Sequence, residues 1–488
     1  MKLRFFNHLI LAVFAISMVL SGCKKSETMD FDIPSESILF EFGGYDIDGT
    51  TTFSSENVST VSVGSTPSGW EIVAVDMYEK SITVHSPTKE AIESKEAVDS
   101  GTIYLNVFTP SGKQKSVSIY VAILVNEDIN YYDSPANCYI ANKYNRRYLF
   151  NPMIGGSSTP LNTSYVEVIW QTSKDLIKYV EMQDGVASFY IDELMDEDDK
   201  PMGRLQMGNA LIGAYSESGE LLWTWHIWVT NSNPESETIT LNGRTLMNIN
   251  LGADINSEGG DNSEENRVGR SYGLYYQWGR RTPFVGPAMW NFWDNKDMAI
   301  YNSSGYLTYL DYVASDDTTG DVAWALNNPM SIITGNNNNG YDWLFSGHDQ
   351  LWSETSKSEH DPCPKGWRIP DSSIFENLTI SPVDDAIVDW HKAQKMYGWH
   401  LEDENGSYFF SAAGRRNYLD GRLDNMNDDS TKPIPWSGYY WTSSAAENGD
   451  AKAMWFDLNS ESRALWNGFD AARSMHRANA MPVRCVKE

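Results

Sequence analysis

The fold of this chain is decided in its middle, by the stretch Leu222-Trp223-Thr224-Trp225-His226-Ile227-Trp228-Val229. Successive side chains of a β-strand point to opposite faces, so Trp223 and Trp225 share one face while Leu222, His226 and Trp228 share the other. Apolar side chains on both faces predict a strand that is buried twice, or one whose second face packs against a neighbouring domain. Residues 217–220, Glu-Ser-Gly-Glu, are typical of a hairpin turn, which makes residues 208–216 the partner strand.

Towards the N-terminus, the sequence predicts two β-rich domains, over residues 36–125 and 137–235. The first has short runs rich in Val, Ile, Tyr and Phe, separated by turn signals such as Thr109-Pro110-Ser111-Gly112. Six or seven short strands over about 90 residues are typical of an Ig-like sandwich, and the polar residues 126–136 predict a linker. The predicted strands of the first domain are Ser37–Phe42, Val58–Val63, Glu71–Val75, Ser81–His85, Gly101–Phe108 and Ser116–Val125.

Towards the C-terminus the character of the chain changes, and residues 242–488 predict a third, loop-rich domain. Strands become sparse while Asn, Gly, Trp and Tyr become frequent. Helical spacing predicts helices over Asp371–Leu378, capped by Asp371 or Ser372, and over Asp384–Tyr397. A domain with so little regular structure needs aromatic side chains in its core, and this accounts for many of its tryptophans.

Composition and charge exclude several classes of function. The chain has 488 residues, 66 acidic against 37 basic side chains and a formal net charge of −29. This charge argues against nucleic-acid binding, because little basic surface is available to release counterions from phosphate. It also argues against adhesion to anionic lipid by charge alone. Four Cys in this length exclude a disulfide-stapled scaffold and a multi-zinc array.

Residues 1–22 are predicted to be a signal segment rather than part of the fold. A positively charged end precedes the apolar run Leu9–Leu20, which is too short to span a bilayer comfortably. The run ends in Leu20-Ser21-Gly22-Cys23, which resembles a bacterial lipobox. This resemblance implies that Cys23 is lipidated and that residues 23–35 are a tether. The alternative is an ordinary secretory signal with a cysteine nearby.

Four motifs follow one another near the C-terminus: Cys363-Pro364-x-Gly366-Trp367-Arg368-Ile369-Pro370, Phe410-x-Ala412-Ala413-Gly414-x-Arg416-Asn417-Tyr418-x-Asp420-Gly421, Gly438-Tyr439-Tyr440-Trp441-Thr442-Ser443-Ser444 and Val483-Arg484-Cys485-Val486-Lys487. In this order they resemble the Fibrobacter succinogenes major paralogous domain. A second set, from Asn137-Cys138-Tyr139-Ile140 to the segment 272–280, is similar to Bacteroidota surface lipoproteins and fimbrium-associated subunits that carry the same domain. Residues 36–125 resemble BACON and related Ig-like domains.

The resemblance implies a mainly β, multidomain protein with two Ig-like β-sandwich domains, followed by an α+β C-type-lectin-like domain over residues 242–488. It implies a lipid anchor in the outer membrane and a position at the cell surface, with fimbrial subunits, a host protein or a glycan as partners. In an oxidising compartment Cys363 and Cys485 are the natural disulfide pair. Cys138 is then left over, and we expect it to be a buried thiol.

No signature of an enzyme accompanies the resemblance. The sequence has no Gly-x-Ser-x-Gly elbow, no His-Glu-x-x-His helix and no P-loop. The cysteine pair of formylglycine-generating enzymes, which share the C-type-lectin-like fold, has no counterpart. We therefore expect no catalytic residues and, calcium apart, no cofactor. Four histidines fit no standard metal-ligand spacing and are expected to be structural: His348, His360, His391 and His400.

Calcium has one candidate loop, Asp254-x-Asn256-x-Glu258-Gly259-x₅-Glu265. Its oxygen ligands at positions 1, 3, 5 and 12 and its central Gly are similar to those of an EF-hand loop. Glu258 departs from the usual Asp or Asn and no amphipathic helix leads in, so the alternative is an acidic loop without a metal. The Glu-Pro-Asn and Gln-Pro-Asp loops of calcium-dependent sugar-binding lectins do not occur.

Stacking on a glycan needs exposed aromatic rings beside hydrogen-bonding amides. The residues with this composition are Trp290, Trp293, Trp455, Trp466 and Asn467. The alternative is that they form the core of the loop-rich domain. An aromatic patch that stays exposed within residues 242–488 would favour ligand binding.

The sequence therefore favours a non-enzymatic adhesin or fimbrium-associated tip subunit that presents a C-terminal ligand-binding domain. Two alternatives stay open. One is a glycan-binding lipoprotein of a polysaccharide-uptake system, and the other is a structural surface component without a small ligand.

Overall fold

The computed structural model describes residues 28–34, 37–40, 44–130, 135–196, 201–256, 270–287, 297–380, 398–424, 437–457 and 468–488. The described chain is mainly β and forms many sheets, as the sequence predicts. It divides into two compact units, Met1–Val125 and Asn126–Glu488. Among the described residues no helix is long and apolar enough to cross a membrane. The predicted signal segment and Cys23 lie outside the described ranges.

Unit 1, which ends at Val125, contains the strands β1 Asp30–Asp32, β2 Ser37–Phe40, β3 Asp48–Thr52, β4 Ser54–Glu56, β5 Thr60–Ser65, β6 Glu71–Asp76, β7 Ser81–His85, β8 Ser100–Phe108 and β9 Gln114–Ile123, with the short helix α1 Lys89–Glu93 between β7 and β8. One sheet has the order β2-β9-β8-β5 and another the order β3-β7-β6, while β1 pairs with β4. Alternate side chains of β8 (Ile103, Leu105 and Val107) are buried in one hydrophobic core. Trp70 lies in the same core and packs edge-to-face on Phe40, with ring centroids 5.3 Å apart.

The strands predicted for unit 1 agree with the structure to within two residues at each end. The sequence does not predict β1, β3 and β4, because all three are mostly polar. β1 lies within residues 23–35, so the prediction of a tether is wrong for this part, which is a strand paired with β4. β3 forms through backbone pairing with β7, in register from Asp48 opposite His85 to Thr52 opposite Ser81. Pairing to a neighbour, and not burial of its own side chains, makes this segment a strand.

β10 Val125–Asn130 starts at the last residue of unit 1 and continues into unit 2, so part of the predicted linker 126–136 is a strand, paired at a sheet edge with β12. The further strands are β11 Cys138–Ala141, β12 Arg146–Phe150, β13 Tyr165–Gln171, β14 Lys178–Gln183, β15 Val186–Ile191, β16 Glu193–Met195, β17 Pro201–Leu205, β18 Gly208–Tyr215, β19 Leu221–Val229, β20 Thr238–Leu241, β21 Arg244–Met247, β22 Tyr276–Gln277, β23 Ile300–Tyr301, β24 Leu307–Thr308, β25 Asp311–Ala314, β26 Ser331–Thr334, β27 Trp367–Arg368, β28 Thr379–Ile380, β29 Gly398–Asp403, β30 Gly406–Ser411, β31 Arg415–Arg416, β32 Leu423–Asp424, β33 Ser437–Ala445, β34 Asp450–Asp457, β35 Phe469–His476, β36 Ala480–Met481 and β37 Val486–Lys487. The helix α2 spans Val322–Asn327.

The stretch Leu222–Val229 lies in β19, inside a six-stranded sheet of order β11-β19-β18-β13-β23-β24. Trp223, Trp225 and Ile227 face a core, here called core A, that they share with the aromatic side chains of the sheet β10-β12-β15-β14. Trp228 faces a second core, core B, together with aromatic side chains from the C-terminal half, among them Trp278. The prediction of a strand buried on both faces is confirmed, since every residue of β19 from Trp223 onwards is buried.

A bulge in β13 lets the same sheet serve both cores. Its pairing with β18 shifts register between Val168 and Trp170. Val166 and Val168 before the bulge lie in core A, whereas Trp170 after it lies in core B. One inserted residue thus turns the strand over, as expected from a side-chain period of two.

The six-stranded sheet also crosses the region where the sequence predicts a boundary between domains 137–235 and 242–488. β23 and β24, over residues 300–308, pair onto β13 and extend the sheet. Segments from both predicted domains therefore share one sheet within one compact unit.

The rest of unit 2 consists of small sheets joined by long connections. Their orders are β20-β21-β37-β27, β22-β36-β31-β32, β33-β34-β35, β28-β29-β30 and β25-β26. Cys363 and Cys485 form a disulfide with their Cα atoms 6.0 Å apart, as the sequence predicts. The bond ties the last strand region to the segment just before β27.

The prediction of a helix over Asp371–Leu378 is wrong in type and length. Only Ser372–Phe375 form a 3₁₀ turn, although Asp371 caps it as predicted and accepts from the Ser373 N–H at 3.1 Å. The helical turn ends at Glu376, where ψ is 146°, and the backbone then reaches a φ of 66° at Asn377. The helix predicted over Asp384–Tyr397 lies outside the described residues, and α2, capped by Asp321, is not predicted.

Candidate functional site

Within the described residues, the exposed aromatic side chains are Tyr and Phe, not Trp. In the described part of the chain every Trp is buried except Trp324, which is half-buried. Several indole N–H groups donate to backbone carbonyls in the core, such as Trp278 to Thr442 at 2.9 Å and Trp441 to Tyr276 at 2.8 Å. These tryptophans stabilise the fold and do not present a binding face.

Of the residues predicted to bind a ligand, the structure describes Trp455, and it places this side chain in the core. Trp455 is only 5% exposed, and the guanidinium of Arg473 lies over its ring at 4.2 Å from the centroid. Its ring therefore has no open face for stacking. The other predicted members lie outside the described residues and stay predictions: Trp290, Trp293, Trp466 and Asn467.

Three exposed rings of unit 2 are tyrosines on the segment 306–312. Elsewhere in the described chain the exposed rings are Tyr78, Tyr165, Tyr179 and Phe345. Tyr306 is 72% exposed, Leu307 52%, Tyr309 75% and Tyr312 43%, and Leu419 on a neighbouring turn is 55% exposed. We call these five side chains the tyrosine surface. Soluble proteins expose isolated apolar residues often, but a group of large ones on one short segment indicates a site of interaction.

A tight turn holds the first part of the tyrosine surface. The carbonyl of Asn302 accepts from the N–H of Gly305 at 2.9 Å, and its side-chain oxygen accepts from the N–H of Tyr306 at 3.0 Å. Gly305 has a φ of 74°, which favours glycine. The buried Leu310 then anchors the segment in core B, so that the tyrosines on either side of it stay outside.

Buried Arg416 organises the second part. Its guanidinium donates to the Val285 carbonyl at 3.0 Å, to the Gly421 carbonyl at 3.2 Å and to Asp297 Oδ1 at 2.8 Å. The other carboxylate oxygen of Asp297 accepts from the Tyr312 hydroxyl at 3.2 Å. Burial raises the pKa of that hydroxyl, the Arg416 charge opposes the rise and Asp297 adds to it. Tyr312 is thus held as a neutral hydrogen-bond donor in a fixed position.

The turn that carries Leu419 packs directly on Tyr312. Gly421 donates to the Asn417 carbonyl at 2.8 Å, and the Leu419 N–H donates to the Asn417 side chain at 2.8 Å. Gly421 has a φ of 71°, and a Cβ there would lie 2.6 Å from Cδ1 of Tyr312. Glycine is therefore required for the turn to approach the ring so closely.

Beside the turn lies a cluster of three half-buried rings, Tyr341, Tyr418 and His476, which we call the aromatic cluster. Tyr418 packs on His476 at 4.5 Å and on Tyr341 at 5.0 Å between ring centroids, and Asp450 Oδ1 lies 2.7 Å from Nδ1 of His476. Tyr341 has a φ of 59°, a strained position for this residue, costing about 1–3 kcal/mol. Such strain is often found where a protein shapes a binding site.

The segment that carries four of the five side chains of the tyrosine surface is acidic, whereas the turn with Leu419 also carries the exposed Arg422. The sixty residues from Asp297 to Ser356 contain eight Asp or Glu and no Lys or Arg. An anionic ligand would be repelled here, whereas a neutral or cationic one would not. The sequence signal for this surface is the run Tyr306-Leu307-Thr308-Tyr309-Leu310-Asp311-Tyr312, in which one apolar anchor lies among polar and tyrosine residues.

The predicted calcium ligands within the described residues bind other protein groups. Asp254 accepts from Nε of Arg270 at 3.2 Å, and burial raises the pKa of its carboxyl to about 6 despite this arginine. Asn256 donates to Asn248 at 3.0 Å, while Glu258 and Glu265 lie outside the described residues. No group of three or more candidate metal ligands occurs in the part of the chain that the structure describes.

The remaining cysteine prediction concerns Cys138, which is buried as expected, at the start of β11. Burial raises the pKa of its thiol well above the usual range, so it stays protonated. A protonated, inaccessible thiol is a packing residue and not a nucleophile.

Comparison with known proteins assigns no family to this chain. No family model matches it, and no curated protein matches it. Solved structures that it matches in part include the Bacteroides ovatus mixed-linkage glucan utilization locus SGBP-B in complex with a mixed-linkage heptasaccharide (11% identity over 40% of this chain and 43% of that one, TM-score 0.11). They also include the human desmocollin-1 ectodomain (12% identity, 44% and 39% covered, TM-score 0.16). A third is a tri-modular GH5 endo-β-1,4-glucanase from Bacillus licheniformis complexed with cellotetraose (9% identity, 41% and 38% covered, TM-score 0.15). The chain spans about two fifths of the length of each, and likeness at these scores carries no argument about function.

Proposed function

We propose that this protein is a non-enzymatic surface adhesin that binds its ligand through the tyrosine surface of unit 2. The observation that carries this proposal is that Tyr306, Tyr309 and Tyr312 are exposed together, while no tryptophan of the described chain is exposed. A core-forming role would place these rings inside. Their exposure beside a turn fixed by Arg416 supports a preorganised contact surface.

The ligand class that this surface fits is a neutral oligosaccharide. Tyrosine offers an apolar ring that packs on the C–H face of a sugar and a hydroxyl that forms hydrogen bonds with its oxygen atoms. The absence of Lys and Arg over residues 297–356 disfavours sialylated, uronic or sulfated glycans. A role as a fimbrium-associated tip subunit and a role in polysaccharide uptake are both compatible with such a ligand.

We also propose the finer architecture and setting that the sequence motifs imply. Unit 1 is an Ig-like, BACON-like sandwich, and the two sheets that enclose its core support this. The segment from residue 242 onwards is a C-type-lectin-like domain of the Fibrobacter succinogenes major paralogous type. Its motif around Arg416 and Gly421 forms the hairpin that supports the tyrosine surface.

For the setting, the proposal is a lipid-anchored protein of the outer membrane, attached through Cys23 and exposed at the cell surface. Mass spectrometry of the N-terminal peptide from cells tests the anchor, because lipidation adds a defined mass to Cys23. Protease treatment of intact cells tests exposure. An unmodified Cys23, or full protection from protease, would contradict this setting.

The test of function is binding of the purified chain to a panel of neutral and acidic glycans. We expect binding to neutral members and a loss of about tenfold in affinity for Tyr309→Ala, because removing one contacting aromatic ring costs about 1–2 kcal/mol. Tyr78→Ala is the matched control, since Tyr78 is 89% exposed but lies in unit 1. Co-purification with fimbrial shaft proteins and no glycan binding would support a structural role instead. Turnover of any substrate would contradict the non-enzymatic assignment.

A further inference from the structure

Arg281 is a buried cation whose nitrogens have no hydrogen-bond acceptor. The side chain is 2% exposed, and within the described residues none of its three nitrogens has a hydrogen-bond partner. Its guanidinium lies 3.4 Å from the centroid of the Trp223 ring. Stacking on an indole stabilises the flat face of a guanidinium but leaves the N–H groups at its edge without acceptors.

The other buried arginines show how unusual this is. Arg416 binds Asp297, and Arg477 binds Asp342 and Asp349. Arg280, adjacent to Arg281, donates to the Gln277 side chain at 2.7 Å and to the Ser331 carbonyl at 3.0 Å. Arg484 likewise donates to the Asn250 side chain at 3.1 Å. Arg281 differs from all of these in the described chain.

The charges near Arg281 do not neutralise it. Burial lowers the pKa of Arg281 to about 9, Glu359 raises it and the neighbouring Arg280 lowers it further. The side chain is therefore still a cation at neutral pH. Glu359 is itself solvent-exposed and accepts a hydrogen bond from Ser157 Oγ at 3.2 Å. The pKa of the neighbouring His360 is lowered to about 4, mainly by burial and then by the charge of Arg281. Two adjacent buried guanidinium groups thus lie together without a carboxylate bound to either in the described residues.

We propose that Arg281 binds a small inorganic anion of the chloride class, which accepts its edge N–H groups and neutralises its charge. A buried charge without a partner is strongly unfavourable, and water alone would satisfy the donors without compensating the charge. The ligand must be small, because all three nitrogens are buried. The role of this anion is structural: it lies where Trp223 of β19 meets the segment after β22.

A direct test is diffraction from crystals of the wild-type chain grown or soaked in bromide. We expect an anomalous peak within hydrogen-bonding distance of the Arg281 guanidinium. Density for ordered water molecules on its nitrogens with no bromide, or nitrogens bonded to protein acceptors alone, would overturn the proposal. This measurement needs no variant and so does not depend on the folding of one.

A second test uses heat unfolding at constant ionic strength, with chloride exchanged for the larger gluconate. Binding to the folded state alone makes stability rise with the logarithm of chloride concentration above Kd. For a unit of this size we expect Tm to rise by about 2 °C for each tenfold increase in chloride concentration. Arg281→Met, which removes the charge, should abolish the dependence.

The matched control is Arg473→Met, because Arg473 is also stacked on a tryptophan ring but is exposed. This variant should keep the chloride dependence of the wild type. The same dependence in Arg281→Met as in the wild type would contradict an anion at Arg281, even if bromide were found elsewhere in the crystal.

Discussion

Replacing Gly421 with Ala should destabilise unit 2 and weaken ligand binding together. At this position the backbone φ is 71°, and a Cβ would lie 2.6 Å from Cδ1 of Tyr312 and 2.9 Å from Cγ2 of Ile332. The left-handed conformation costs a non-glycine residue about 1–2 kcal/mol. Overpacking against these two side chains adds about 1–3 kcal/mol. We therefore expect a loss of about 2–5 kcal/mol, relieved in part by displacement of the Tyr312 ring.

The assay is heat or urea unfolding of the chain followed by glycan binding, with Gly347→Ala as the control. Gly347 has a similar φ of 67° and nothing within 4 Å of its Cβ position, so only the backbone cost of about 1–2 kcal/mol remains. The difference between the two variants isolates the contact with Tyr312. Equal losses of stability, with unchanged binding in Gly421→Ala, would refute the close packing of this turn on the tyrosine surface.

Further predictions concern the disulfide, a titrating histidine and the free thiol. Replacing Cys363 and Cys485 by Ala should cost about 5 kcal/mol in the chain-entropy model for a separation of 122 residues, and urea unfolding measures it; a loss below about 1 kcal/mol would contradict this. Hydrogen bonds to Asp48, then to Asp46, raise the pKa of His85 above 6.5, so its stabilising contribution is complete below pH 6.5 and is lost as the pH rises through the raised value. His85→Gln should remove that part of the pH dependence of unit 1 unfolding, and an unchanged profile would argue against the pairing. Cys138 should react with iodoacetamide only after denaturation, and mass spectrometry showing labelling of the folded chain would contradict its burial.

The strand pattern could largely be predicted from the sequence, because alternation and turn residues are local signals. Ser81–His85 and the two-sided strand at Trp223 and Trp225 follow directly from period-two patterning. What could not be predicted is the pairing between distant segments. Nothing local in residues 300–308 indicates that they extend a sheet formed by residues 138–229.

The candidate site was harder to predict, for a physical reason. Composition favours tryptophan beside amides as a glycan surface, but whether a ring is buried depends on the sheet that covers it. Trp455 is buried beneath Arg473, whereas Tyr309 is exposed because Leu310 next to it takes the place in the core. The motif that includes Arg416 and Gly421 indicates a family resemblance and does not predict a binding surface, although in the structure its arginine and glycine position Tyr312.

The sheet shared by cores A and B limits how this protein could have evolved. A gene fragment starting near residue 242 would encode the partners of core B without β18 and β19, which close that core through Leu211 and Trp228. Without these two strands the apolar side chains of core B would be exposed to solvent, which would favour aggregation over folding. Exchange of the C-terminal part between genes as an independent cassette is therefore disfavoured, and recombination should preserve the whole segment from residue 126 onwards.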